Sequence, residues 1–246
     1  MNYLLEICCG SIDDAIQAQA GGADRIELCS AMFLGGLTPS LGTVQVAREH
    51  LTIPIMAMVR PRTGGFCYTD AEFATMERDS EAPLANGADG LVFGILEPAG
   101  NIDVKRTRRL RELTGGKQSV FHRAFDVTPD PFRALDQLID LGITRVLTSG
   151  QRSSALEAAD LIHRLIDHAR GRIEILPGGG IRLHNVEEVV ARTGCNQVHM
   201  TAWKSVPDTS TRANAELRFA ASGSPPEDSF QMTDAALVRQ VVEKLK

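Results

Sequence analysis

Short apolar runs alternate with longer stretches of helical periodicity along the whole chain. The runs are Tyr3–Cys8, Arg25–Cys29, Pro54–Arg60, Gly90–Gly94, Ser119–His122, Arg145–Thr148, Ile173–Pro177 and Gln197–Thr201, each of strand length. They start far enough apart for a helix to fit between every pair, the repeat of a βα unit. The junctions echo one another as GGADRIEL, NGADGLVF and LGITRVL. In each a glycine ends a helix, where a left-handed residue is favoured, and a strand follows. Helix starts are marked by Ser11 ahead of Asp13 and Asp14, by Ser40 ahead of LGTVQVAREH, and by Thr69 with Glu72 in a capping-box pattern. Eight such units predict one (β/α)8 TIM barrel spanning residues 1–246. A doubly wound sheet satisfies the same pattern, because periodicity alone does not close a barrel. The polar, Ser- and Pro-rich stretch at about 206–231 predicts a long loop after the eighth strand, with a closing helix at about 233–246. Pro83 in RDSEAPLANGAD removes a backbone donor and should kink or end the third helix.

Composition narrows the function. A net charge of −5 argues against the concentrated positive surface that nucleic acid or an anionic membrane requires. No apolar run approaches the roughly 20 residues of a membrane helix, and no charged leader precedes the first strand. A cytoplasmic protein is expected. Its five cysteines, an odd number without scaffold spacing, are expected to be thiols.

Alternation along the strands then sorts the polar residues. If Leu5, Ile7, Ile26 and Leu28 face the helices, then Glu6, Cys8, Glu27 and Cys29 face the barrel axis. Cys8 and Cys29 end adjacent strands at the carboxyl side, where barrel sites are built. Arg60 ends the third strand with Arg62 just after, and His122 ends the fifth, followed by Arg123 and Asp126. His199 lies on the eighth, and Met56 and Met58 share the parity of Arg60 and point inward as core. Cys9 should face the helices, while Cys67 and Cys195 have no evident partner.

Polar groups this dense need partners. One reading makes Glu6, Glu27, Arg60 and the histidines a buried ion-pair network that fixes strand register, with Cys8 and Cys29 as small apolar fillers. The other makes Glu6, Glu27, Arg60, His122 and His199 an acid–base set, the candidate catalytic residues of an isomerase, epimerase or aldolase-like enzyme. Its substrate would be a small phosphorylated or carboxylated metabolite. Thr148, Ser149 and Gly150 after the sixth strand, and Gly178, Gly179 and Gly180 after the seventh, are candidate anion-binding residues, since barrel phosphates favour those loops.

The stretches LEICCGS, GGADRIELCS, GGLTPSLG, MVRPRTGGFCYTDAEF, GADGLVFGIL, FHRAFD, RVLTSGQ and PGGGIR, in this order, resemble the copper homeostasis protein CutC family over nearly the whole chain. The resemblance implies a TIM barrel, a cytoplasmic location, a homodimer or larger homo-oligomer, and Cu(I) bound by Cys8 and Cys29; it implies no reaction. Soft thiolates do select Cu(I), although Glu6 and Glu27 oppose thiol ionisation and Arg60 favours it. The chain departs from the family pattern at Thr63–Phe66, where TGGF lacks an acid, at Pro83, and at VHMTAWK in the eighth strand.

Overall fold

The computed structural model describes residues 3–214, 216–217, 219, 224 and 227–246. Eight parallel strands form a ring: β1 (Leu4–Cys9), β2 (Arg25–Leu28), β3 (Ile55–Met58), β4 (Gly90–Phe93), β5 (Gln118–Phe121), β6 (Arg145–Thr148), β7 (Glu174–Pro177) and β8 (Gln197–Met200). Each pairs with its successor from β1 to β7, and β1 pairs with β8. The seam between β7 and β8 is a single bridge, Gly178 to His199; Pro177 brings no amide to the ladder there. The arrangement is a TIM barrel and not a doubly wound sheet.

Helices alternate with the strands: α1 (Ile12–Gly21), α2 (Leu41–His50), α3 (Asp70–Ala85), α4 (Val104–Leu113), α5 (Pro131–Asp140), α6 (Ala159–Ala169), α7 (Val186–Thr193) and α8 (Ala235–Lys244). The caps follow from the sequence. Ser11 accepts from the Asp14 amide, Ser40 from the Thr43 amide, and Thr69 with Glu72 closes a capping box. Pro83 falls in the last turn of α3. The helix runs two residues past it and stops, with the Asn86 and Ala88 amides both donating to the Pro83 carbonyl.

The stretch at about 206–231 is not simply a loop. Its ends belong to an antiparallel ribbon, β9 (Trp203–Pro207) with β10 (Ser229–Thr233), and a 3-10 turn follows at Arg212–Asn214. The ribbon stands largely in solvent, so it lacks the apolar alternation that marks a half-buried strand. It is anchored where the Thr233 amide donates to Asp14 Oδ1 at 2.6 Å. Residues 215, 218, 220–223 and 225–226 of the expected loop lie outside the described residues. The closing helix starts at Ala235, capped by Asp234.

Alternation divides the core in two. Leu5, Ile7, Cys9, Ile26 and Leu28 pack against the helices, whereas Cys8, Cys29, Met56, Met58, Val92, Val120, Leu147 and Leu176 fill the barrel. Gly90 makes room for this filling, because a Cβ there would lie 2.8 Å from Met56 Sδ and 2.7 Å from the Gln118 carbonyl oxygen. Gly90→Ala is therefore expected to destabilise the protein by about 1–3 kcal/mol through overpacking. Chemical denaturation checks this, and an unchanged midpoint would mean the barrel filling yields freely.

Candidate functional site

Strands β1 and β2 and the turn after β2 build a sulfur-rich corner at the carboxyl end of the barrel. Cys8 and Glu27 are cross-strand partners. Cys8 Sγ donates to Glu27 Oε2 at 3.0 Å, and Cys29 Sγ donates to the same oxygen at 3.4 Å. Ala31 then takes a left-handed conformation (φ 48°), and the 3-10 turn Met32–Leu34 folds over the mouth. This brings Met32 Sδ to 3.7 Å from Cys8 Sγ. Gly36 (φ 81°) completes the close approach, since a Cβ there would lie 3.2 Å from Cys29 Sγ.

Both thiols are strongly held in the protonated form. The hydrogen bond with Cys29, burial and the Glu27 charge push the Cys8 pKa well above the usual thiol value. For Cys29 the bond with Cys8 works the other way, but burial and Glu27 prevail and raise the pKa to about 12. His199 sits beside them, with Nδ1 2.7 Å from Glu6 Oε1 and Nε2 3.9 Å from Glu27 Oε2. Burial disfavours its cation, yet Glu27 and the bonds to Cys8 and Glu6 hold its pKa well above the usual value. Donor atoms of Cys8, Glu27 and His199 all lie within 4.8 Å of one another, and all three residues are buried.

Beneath this corner runs a buried polar network. Glu6 is ion-paired to Arg25 Nε. Arg25 Nη2 donates to Gln197 Oε1 at 3.0 Å, and Gln197 Nε2 donates to Glu174 Oε2 at 3.2 Å. Arg145 joins it to Glu174 (2.7 Å) and Gln118 (3.0 Å). Burial alone would raise the Glu6 pKa; Arg25 and His199 overcome it and hold the carboxyl at about 2. The expected register-fixing network is thus real for Glu6, Glu27 and His199, but its cations are Arg25 and Arg145, not Arg60.

Arg60 lies past the end of β3, is only 7% exposed and forms no ion pair among the described residues. Its Nη1 donates to the carbonyls of Leu34, Gly35 and Gly36, and its Nη2 to that of Gly64. Its guanidinium stacks 5.3 Å from the centre of the Phe66 ring, and its Nε, although buried, has no partner. His122 packs on the same ring. It caps the 3-10 turn Arg123–Val127, with Nδ1 accepting from the Ala124 amide at 3.1 Å. Burial and the nearby Arg60 charge lower its pKa to about 3. The ring is therefore neutral with its proton on Nε2, and Nε2 too is buried without a partner. Glu27 Oε1 is the third such atom. All three residues line one cavity of about 320 Å³ at the barrel mouth.

The loop after β6 uses its donors internally. Asp126 accepts from Thr148 Oγ1, from Ser149 N and Oγ, and from Gln151 N, while the Gly150 amide donates to Thr148 Oγ1. Thr148 and Ser149 thus donate to a carboxylate of the chain itself. The Gly178 amide donates to the Thr148 carbonyl at 2.8 Å. Gly179 and Gly180 remain open and line the mouth with Arg123 and Arg182. Arg62 turns aside to pair with Glu72 at 2.5 Å. Cys9 packs against the helices, Cys67 is exposed, Cys195 lies buried ahead of β8, and all five cysteines are free.

Three contributors to the site and to the network beneath it escaped sequence reasoning. Arg25 shares the parity of Glu27 and could have been found that way; Met32 and the role of Asp126 depend on loop conformation and carry no local signal.

The model of the CutC family matches residues 3–204. A family protein CutC from Treponema denticola is 48% identical over 244 residues, covering 99% of each chain. A human protein named copper homeostasis protein cutC homolog is 44% identical over 238 residues, covering 96% of this chain and 87% of that one. Among solved structures, a CutC from Streptococcus agalactiae superposes with a TM-score of 0.77 at 36% identity, covering 80% of this chain and 97% of that one. An N-(5'-phosphoribosyl)anthranilate isomerase from Pyrococcus furiosus has a TM-score of 0.58 at 16% identity over 99% and 98% of the two chains, a likeness of fold alone. No helix among the described residues is long and apolar enough to cross a membrane.

Proposed function

The chain belongs to the CutC family, and we propose that it binds one Cu(I) ion at the barrel mouth through the thiolates of Cys8 and Cys29, with the Met32 thioether as a third soft donor. One observation carries this reading. Two thiols converge on a single carboxylate oxygen, and a thioether sulfur stands 3.7 Å from one of them. Sulfur donors of this kind select Cu(I) over harder ions. The human relative's name, copper homeostasis protein cutC homolog, accords with that chemistry.

The raised thiol pKa values set the conditions for binding. The ion must displace a proton from each sulfur, because thiolate is the ligand. A dithiolate Cu(I) centre is anionic, and His199, flanked by Glu6 and Glu27, supplies a cation next to it. Affinity should rise with pH, by up to about a hundredfold per unit if both protons leave the protein. Anaerobic competition against a Cu(I) chelator between pH 6 and 8 tests this. One equivalent bound with a rising affinity is expected; a flat profile, or a stronger preference for Zn(II), would refute it. A cytoplasmic setting, which keeps thiols reduced, accords with five free cysteines.

The chain should also self-associate. Phe33 (60% exposed) and Phe230 (48% exposed) line a second cavity of about 420 Å³, between the turn after β2 and the β9–β10 ribbon. A second copy would remove this apolar surface from water. Sedimentation equilibrium should give at least a dimer; the monomer mass of 26.6 kDa at micromolar concentration would be the contrary result.

A further inference from the structure

We propose that the barrel mouth also binds a small phosphorylated hydroxy-carbonyl metabolite, with its phosphate on the glycine loop after β7 and its oxygen-bearing end against Arg60, His122 and Glu27. The deep end of the cavity carries the first half of the argument. Three side chains that line it, Glu27 (3% exposed), His122 (4% exposed) and Arg60, each present one buried polar atom without a partner. A buried group left unpaired is costly, and most native proteins leave few. All three residues line one cavity. Two are donors, Arg60 Nε–H and His122 Nε2–H, and one is an acceptor, Glu27 Oε1. A carbonyl oxygen satisfies the donors, and a hydroxyl satisfies the carboxylate. Arg60 is in addition a buried cation with no acid partner among the described residues, so an electron-rich ligand atom beside it removes a cost that the fold alone leaves standing.

The outer end carries the second half. Gly179 and Gly180 adopt φ of 93° and 69°, the left-handed region that glycine enters without steric cost. Among the described residues the amides of Gly180 and Ile181 have no protein acceptor, in contrast to those of Gly178 and Arg182. Arg123 lies over this loop: a Cβ on Gly179 would be 3.5 Å from its Nη1. Nε and Nη2 of Arg123 are held by Asp126 (2.8 Å) and Ser149 (2.7 Å), which leaves Nη1 directed at the glycines. Arg182 adds an exposed cation at the rim. Phosphate groups occupy the loops after the seventh and eighth strands in many barrels, for these reasons of amide geometry and charge. Between the two ends the walls are apolar, with Met58, Phe66, Leu147 and Ile181 among them, and the volume suits a short carbon skeleton.

The proposed contacts use none of the three sulfur atoms, although Cys8 and Met32 line the same cavity, so the test reads metabolite binding without copper present. The test is a melting series with the intact protein, at matched ionic strength, in chloride, inorganic phosphate, and a panel of triose, pentose and hexose phosphates with their dephosphorylated counterparts. At least one phosphorylated compound should raise the melting temperature in proportion to its binding, more than inorganic phosphate does, and its dephosphorylated counterpart should not. His122→Asn keeps an acceptor for the Ala124 amide and removes Nε2–H; it should weaken the sugar phosphate about tenfold while leaving inorganic phosphate unchanged. Arg182→Ala, at an exposed side chain, should weaken both. No protection beyond the chloride control would overturn the site. Protection by inorganic phosphate alone, with His122→Asn silent, would overturn the hydroxy-carbonyl assignment.

Discussion

Replacing Cys8 and Cys29 together by serine is expected to abolish Cu(I) binding while leaving the barrel folded. Serine is close in size, and its hydroxyl can donate to Glu27 Oε2 as each thiol does now. What is lost is softness, the property that selects Cu(I). Each single replacement should weaken binding by at least about a hundredfold, or about 2.7 kcal/mol. Met32→Leu, which conserves volume, should cost less, since a thioether is a neutral auxiliary donor. Cys195→Ser lies at the amino end of the barrel and should change nothing. Glu27→Gln gives a sharper discrimination. Its carboxylate now accepts both thiol protons, so removing the charge should lower the thiol pKa values and tighten Cu(I) binding at neutral pH. If the two cysteines are merely fillers of the barrel mouth, competition titration will show the same weak affinity for the parent and the double variant, and the copper assignment fails.

The inward set was legible because strand alternation is local. Period two puts Glu6 with Cys8 and Glu27 with Cys29 on one face whatever the rest of the chain does, and the cross-strand register bears this out. Helix boundaries were legible for the same reason, through Ser11, Ser40 and Thr69. What was not legible depends on long-range or loop geometry. Met32 reaches Cys8 only because Ala31 is left-handed, and nothing about alanine announces that. Asp126 reaches the loop after β6 from 22 residues away in sequence, and no local pattern announces that the hydroxyls of that loop have a partner within the chain. Arg60 was expected within a buried ion-pair network with Glu6, Glu27 and the histidines. It follows the end of β3, however, and its guanidinium turns to loop carbonyls, while Arg25 on the adjacent strand meets Glu6. The β9–β10 ribbon escaped because a two-stranded element standing in solvent buries neither face.

Glu6→Gln should be among the most destabilising single changes in the protein. It keeps the shape of the side chain but strands Arg25, buried beneath the mouth, without its counter-charge, and it breaks the bond to His199 Nδ1. Breaking one member of a buried ion pair costs about 3–5 kcal/mol. The depressed pKa points in the same direction, as the net of burial against Arg25 and His199. The Glu6 carboxyl is held at about 2 against an ordinary 4.5, which corresponds to about 3 kcal/mol. The sign follows from proton binding. The folded pKa is depressed, so the unfolded chain takes up the proton first, and the stabilisation is complete above about pH 4.5 and disappears as pH falls through 2. His199 is shifted upward, so its contribution has the opposite sense: complete below its ordinary value, and lost only as pH rises past the raised folded value. At neutral pH both contributions are present. The gap in stability between the parent and Glu6→Gln, measured by chemical denaturation, should therefore be widest near pH 5–7 and narrow by about 2 kcal/mol on going from pH 5 to pH 3. A gap that stays constant over that interval would mean Glu6 stabilises the barrel through packing and not through its charge. Replacing Glu6 and Arg25 together by apolar residues of similar volume should then recover much of the loss, since the pair is costly to break but not to remove entire.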